Sequence, residues 1–287
     1  MDLCNANDIH ELLSRHGFHF SKSLGQNFLT AAWVPERIAE ESGTDENCGV
    51  LEIGPGIGCL TRELSARAGR VASIELDEKL IPILADTLSD CRNVNVIYGD
   101  AMKLDLAEIV SREFAGLTPT VCANLPYNIT TPIISRLIES GLFSTFTVMI
   151  QREVARRICA APGTADYGAF GIYVNYYCTA EILFDVPPAC FTPAPKVTSS
   201  VIKLTAREKP AVETADEKLF FRVVKGAFLQ RRKTLVNALS SALAPQVTKD
   251  AVAAAIEKCG LAPAVRGETL SLAEFAALAD AIGRTAE

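Results

Sequence analysis

Apolar positions along this chain keep two different rhythms. Residues 7–16 place Ile9, Leu12 and Leu13 at helical spacing. A polar, glycine-containing segment over 22–29 then precedes a helix carrying Trp33 and Ile38. From Gly49 the texture changes to short buried runs that alternate with amphipathic stretches. Strands are predicted over 50–53, 71–74, 94–98, 120–123 and 146–150, with helices over 61–68, 78–88 and 133–138 between them. Such alternation predicts an α/β fold, a doubly wound and mostly parallel sheet. Residues 167–178 fit a helix or a strand, with Phe170, Val174 and Tyr177 favouring the helix. Two later runs, 180–186 and 197–204, flank the proline-rich stretch 187–195 and predict an antiparallel hairpin closing the sheet.

Past a polar linker over 206–215 the period is helical throughout, at 220–229, 234–243, 251–258 and 272–281. The expected organisation is therefore an α/β domain over 1–206 and a small all-helical domain over 216–287. A chain of 287 residues with a 49% hydrophobic content supports two such cores. Its longest uncharged stretch, 114–135, is broken by Pro119, Pro126 and Pro132, which makes it a poor membrane span. No basic segment followed by an apolar one opens the chain. Nine cysteines lack paired C-x-x-C spacing, so no metal site is signalled, and they read as reduced thiols of a cytoplasmic protein.

A net charge of −6 argues at first against a nucleic-acid partner, but a global sum hides patches. Arg222, Lys225, Arg231, Arg232 and Lys233 lie within one stretch free of acids. Arg152, Arg156 and Arg157 form a second group at helical spacing. A solvated helix face explains either group alone as well as a binding role does.

The chemistry concentrates at predicted strand ends. Glu52-Ile53-Gly54-Pro55-Gly56-Ile57-Gly58 follows the first strand and leads into a helix, and its glycines allow a tight turn and close backbone approach to a ligand. Glu75 ends the second strand, where an acid can hold two ribose hydroxyls, and Asp100 ends the third, placed to accept from an adenine amino group. A nicotinamide dehydrogenase is the competing reading. Its G-x-G-x-x-G spacing differs from the G-x-G-x-G found here, and Gly99-Asp100 has no place in it. A nucleoside cofactor without a pyrophosphate is favoured, which points to S-adenosyl-L-methionine.

Asn124-Leu125-Pro126-Tyr127 ends the fourth strand. The Asn oxygen and a nearby carbonyl can accept both N–H bonds of an exocyclic amine, Pro126 stiffens the turn, and Tyr127 offers a flat face for stacking. Taken together these segments resemble the ribosomal RNA adenine N6,N6-dimethyltransferase family, in its bacterial small-subunit form. The likeness covers essentially the whole chain, including residues 22–29, 151–153, 191–197 and 231–235.

The resemblance implies transfer of methyl groups from S-adenosylmethionine to N6 of two adjacent adenosines near the 3′ end of 16S rRNA, within the small ribosomal subunit or its precursor. It implies a cofactor pocket lined by Asn27, Leu29, Gly54, Gly56, Glu75, Asp100, Ala101 and Asn124. It also implies a target-base site built from Asn124, Leu125, Pro126, Tyr127 and Phe191, with Phe191 stacking opposite Tyr127. Without it, Phe191 reads as a core aromatic. The helical domain becomes an RNA-recognition element, and Arg152, Arg156, Arg222, Lys225, Arg231, Arg232 and Lys233 become phosphate contacts. Cys59, Thr198 and Val236 depart from the family's usual residues, the last at a position that is often basic. Two alternatives stay open at this point: methylation of large-subunit RNA, and an assembly factor that keeps the fold without turnover. Nothing in the sequence demands a dimer, so a monomer is expected.

Overall fold

The structure, a computed structural model, describes residues 1–19 and 26–284. Within the glycine-containing segment over 22–29, residues 22–25 lie outside the described residues. Helix α1 (Ala6–Arg15) is capped by Asn5, whose side chain accepts from the amides of Asn7 and Asp8, and it buries Ile9, Leu12 and Leu13. A two-residue strand β1 (Phe28–Leu29) and helix α2 (Trp33–Glu41) follow.

Strands β2 (Cys48–Ile53), β3 (Arg70–Glu75), β4 (Val94–Tyr98), β5 (Thr118–Asn124) and β6 (Thr145–Gln151) form the parallel part of the sheet. Between and after them run α3 (Cys59–Ser65), α4 (Ile81–Thr87), α5 (Leu106–Glu113), α6 (Thr130–Ser140), α7 (Arg152–Ile158) and α8 (Ala169–Tyr177). Beyond these come β7 (Cys178–Val186), the two-residue β8 (Phe191–Thr192) and β9 (Ser199–Ala206).

The sheet order is β4-β3-β2-β5-β6-β9-β7, with β9 antiparallel to β6 and neighbouring β7. Buried runs such as Val50–Leu51 and Val71–Ala72 are wholly shielded, as strands covered on both faces must be. Val50, Val71, Cys122 and Met149 pack with Val34 and Ile38 of α2 and Leu60 and Leu64 of α3 on one face. Helix α5 has no counterpart among the helices expected from the sequence. That helix has only eight residues, buries Leu106 and Ile109, and starts where Asp105 accepts from the amides of Ala107 and Glu108.

Chain contacts divide the molecule into two units. The sheet unit comprises Met1–Ala155 and Glu181–Ala206, and the helical unit comprises Arg156–Ala180 and Arg207–Glu287. The expected boundary of 1–206 is therefore corrected, because 156–180 belongs with the helices. The reason is packing: Tyr167, Ile172 and Tyr176 are buried in the core that also holds Phe220, Leu239 and Phe275. The Tyr167 hydroxyl also donates to the Leu270 carbonyl at 2.8 Å. Helices α9 (Glu217–Leu229), α10 (Leu235–Ala242), α11 (Lys249–Lys258) and α12 (Leu272–Gly283) complete this unit, and α12 opens with a capping box between Ser271 and Glu274. Among the described residues no helix is long and apolar enough to cross a membrane.

Candidate active site at the carboxyl ends of the strands

Because β4, β3, β2, β5 and β6 are parallel, their carboxyl ends share one edge of the sheet. From β2 the chain moves to β3 on one side, while β5 lies on the other. Ligands of open α/β sheets bind at such a reversal of strand order. A cavity with about 1080 Å³ of empty space, its open mouth included, occupies this place. The structure brings every candidate cofactor and target-base residue to its wall: Asn27, Leu29, Gly54, Gly56, Glu75, Asp100, Ala101, Asn124, Leu125, Pro126, Tyr127 and Phe191.

The glycine loop has left-handed backbone at Gly54 (φ 71°) and Gly56 (φ 61°), a conformation that strains any residue with a Cβ. A Cβ on Gly54 would lie 3.9 Å from the Pro126 ring, so the loop after β2 and the turn after β5 face each other closely. The Gly54 amide donates to the Ile74 carbonyl at 2.9 Å, tying the loop to β3.

Glu75 is 5% exposed. Burial pushes its carboxyl above the usual range, while backbone amides of Asp77, Leu76 and Gly56 oppose that shift. The Asp77 amide reaches Oε1 at 2.8 Å. Asp100 is less enclosed. Its Oδ1 accepts from the Met102 amide at 2.9 Å, and the following loop is clamped from α6 by Arg136, which donates to the carbonyls of Met102 and Leu104.

Glu52 also lines the cavity, a position to which the sequence reading attaches no role. It is 1% exposed, and one oxygen accepts from the Thr61 and Ser73 hydroxyls, each at 2.7 Å. Burial raises its pKa to about 7, against those two bonds and with a contribution from the nearby Glu75 charge. An acid next to a glycine loop was the available signal, but its burial depends on Thr61 and Ser73, nine and 21 residues away.

The Asn124 turn is held at both ends. The Leu125 amide donates to the Met149 carbonyl of β6 at 3.1 Å. The Pro126 carbonyl accepts from the Ile129 amide and the Thr130 hydroxyl, both at 3.2 Å. The Tyr127 hydroxyl shares a 2.7 Å hydrogen bond with Ser199, which has no exposed surface. Phe191 reaches the cavity through a small antiparallel pairing in which Leu29 opposes Phe191 and Phe28 opposes Thr192. It is only 5% exposed and packs in the core with Leu29 and Val186, so core packing and cavity lining coincide in one side chain.

The basic residues are distributed less simply. Arg222 and Lys225 are exposed on α9, flanking buried Val223 and Val224. That helix ends at Leu229, the expected bound, where Gln230 leaves helical geometry, and Arg231, Arg232 and Lys233 lie in the turn that follows. Arg231 donates to the Ala165 carbonyl at 3.0 Å and to Glu268 at 3.3 Å, which commits it within the helical unit. Arg152 opens α7 and faces Asp185 at 3.7 Å, while Arg156 is exposed. Among the described residues no cluster of His, Cys, Asp and Glu could hold a metal.

The sequence profile of the ribosomal RNA adenine dimethylases matches residues 17–282. The chain belongs to that family. It is 52% identical over 275 residues to "Ribosomal RNA small subunit methyltransferase A" of Streptococcus sanguinis, covering 94% of both chains. The corresponding protein of Streptococcus pneumoniae is 50% identical over 274 residues, again with 94% of each chain covered. Among solved structures, a dimethyladenosine transferase from Plasmodium falciparum has a TM-score of 0.73 at 26% identity, over 87% of this chain and 95% of that one. The 23S rRNA methyltransferase ErmE has a TM-score of 0.68 at 26% identity, over 89% of this chain and 99% of that one. The dimethylase fold in this chain is thus the α/β sheet with helices that the hydrophobic pattern predicts.

Proposed function

We propose that this protein is the small-subunit member of the dimethylase family, transferring methyl groups from S-adenosylmethionine to N6 of two adjacent adenosines near the 3′ end of 16S rRNA. The observation that carries the reading is the facing pair of loops in one cavity. The glycine loop suits a nucleoside cofactor, and the Asn124 turn suits an aminopurine. The small-subunit assignment follows the relatives at 50% identity and above, whose similarity far exceeds the 26% shared with the 23S enzyme. The protein works as a cytoplasmic monomer on the small subunit or its precursor, with a role in subunit biogenesis.

The donor set fits the cofactor. Positive-φ glycines leave the backbone bare at the crevice, the buried Glu75 carboxylate can accept from vicinal hydroxyls, and Asp100 can accept from an amino group at the next strand end. Asn27, Leu29 and Ala101 supply the remaining wall. When bound, S-adenosylmethionine supplies a methyl group activated by its sulfonium.

The residues of the chain do the rest. An adenine N6 is a poor nucleophile because its lone pair conjugates with the ring. Asn124 Oδ1 accepts one N–H of the amine. The Pro126 carbonyl has both lone pairs engaged by Ile129 and Thr130, so the Leu125 carbonyl is the acceptor for the second. Two acceptors on one side pyramidalise the nitrogen and aim its lone pair along the displacement line, so that rate comes mainly from positioning. Tyr127 and Phe191 hold the flipped base between apolar faces. The methylated nitrogen is strongly acidic and loses its proton without a dedicated base. Arg152, Arg156, Arg222, Lys225, Arg231, Arg232 and Lys233 supply phosphate contacts, with Arg231 limited by its existing bonds.

The test is transfer of labelled methyl from S-adenosylmethionine to unmethylated small-subunit particles, followed by mapping of the modified nucleotides. Dimethyladenosine at adjacent adenines near the 3′ end is expected. Label confined to large-subunit RNA would overturn the substrate assignment, and cofactor binding with no transfer would leave an assembly factor.

A further inference from the structure

Tyr127 is fixed by a residue far from it in sequence. Its hydroxyl lies 2.7 Å from Ser199 Oγ, the first residue of β9. Ser199 is wholly buried and sits opposite Gln151 in the antiparallel β6–β9 ladder. Just outside that ladder, the Arg152 amide donates to the Thr198 carbonyl at 3.0 Å. The serine is therefore immobile, and its hydroxyl is a fixed point on the sheet. Tyr127 has no such rigidity of its own, because it stands in a turn and not in a strand. A phenol ring anchored at Cα and at its oxygen keeps one χ1, so that its long axis points one way, whereas a ring anchored only at Cα moves among χ1 rotamers.

We propose that Ser199 is a positioning residue for the transfer reaction, holding the ring axis of Tyr127 in one direction so that the target adenine stacks with N6 aimed between Asn124 and the Leu125 carbonyl. The inference rests on the proposed function of this same cavity. It makes Ser199 matter through Tyr127 alone: it touches neither base nor cofactor. The neighbouring Ser200 points to the other face of the strand and bonds Asp185, so the two adjacent serines have separate partners.

A double-mutant cycle of Ser199→Ala and Tyr127→Phe tests this, read as kcat, cofactor affinity and stacking of an RNA carrying 2-aminopurine at the target position. Ser199→Ala alone is expected to lower kcat about fivefold, the scale of one hydrogen bond, with cofactor affinity unchanged and quenching of the 2-aminopurine reduced. In the Tyr127→Phe background the same change is expected to have no further effect, since the bond is already gone. Equal losses in both backgrounds, or a loss of cofactor affinity in Ser199→Ala, would overturn the proposal by showing a general packing role. The quenching measurement needs no methyl transfer. An inactive wild-type protein would therefore strike at the proposed function, while unaltered quenching in Ser199→Ala would strike at the serine.

Discussion

The sheet unit and the helical unit use charge in opposite ways. At the strand ends the carboxyl groups of Glu52 and Glu75 are 1% and 5% exposed, and each is met by donors at fixed places: Ser73 across the β2–β3 register and Thr61 of α3 for Glu52, the Asp77 amide just past β3 for Glu75. In the helical unit Arg222, Lys225, Arg232 and Lys233 stand exposed on a helix face and in a turn. A buried acid costs desolvation and is kept only where its position is exact to within a hydrogen bond. An exposed cation costs little and acts at a distance through a screened field. On the proposed function, geometry-dependent chemistry falls to the first unit, and salt-dependent affinity to exposed cations of which all but Arg152 lie in the second.

The largest effect expected to sharpen that contrast is at the turn after β5. Asn124→Ala should lower kcat on the order of a thousandfold, the loss seen when one preorganised partner of a reacting centre is removed, with cofactor affinity nearly unchanged. Steady-state kinetics with a separate cofactor titration would check it, and retained turnover would break the mechanism. Glu52 comes next. Its carboxyl has a pKa of about 7 in the fold against an ordinary 4.5, so the folded protein holds this proton more tightly than the unfolded chain. The associated stability is fully present below about pH 4.5, declines as pH rises, and is gone above about pH 7. Up to about 3 kcal/mol is involved, and Glu52→Gln should flatten this part of the stability curve in denaturant melts across that window. An unchanged slope would show that Glu52 is ionised in the fold. The smallest effect should come from the turn cations. Arg232→Ala with Lys233→Ala should weaken RNA binding about tenfold at low salt and reduce the slope of log affinity against log salt by roughly 1–2, with kcat at saturating RNA preserved. Loss of kcat there would undo the division between the units.

How much of this was legible in the sequence depends on the range of the interaction. Strands β2, β3 and β5 announce themselves as buried runs closed by Gly54, Glu75 and Asn124, and these site residues could be named because they occupy those closures, whereas Asn27, Leu29 and Phe191 come only with the family resemblance. The pairing of Leu29 with Phe191 leaves no such mark, since two residues are too few to show a period. The bond from Tyr127 to Ser199 spans 72 residues, and the commitment of the Pro126 carbonyl depends on the start of α6. Residues 167–178 fit a helix or a strand from sequence, and the favoured helix is the one that forms as α8, yet the membership of 156–180 in the helical unit rests on tertiary burial of Tyr167, Ile172 and Tyr176.

The small β1–β8 pairing also sets a timetable for synthesis. Leu29 emerges early from a translating ribosome, and its strand partner Phe191 emerges 162 residues later, joined by a further bond from the Thr30 amide to the Cys190 carbonyl at 2.8 Å. Glycine loop, acids and Asn124 turn are all in place on the growing chain before that wall of the crevice exists. At the usual pace of elongation the gap lasts on the order of ten seconds. A nascent dimethylase therefore carries an unfinished crevice until Phe191 arrives, and a chain truncated before that point has the recognisable motifs of the enzyme with one side of its pocket missing.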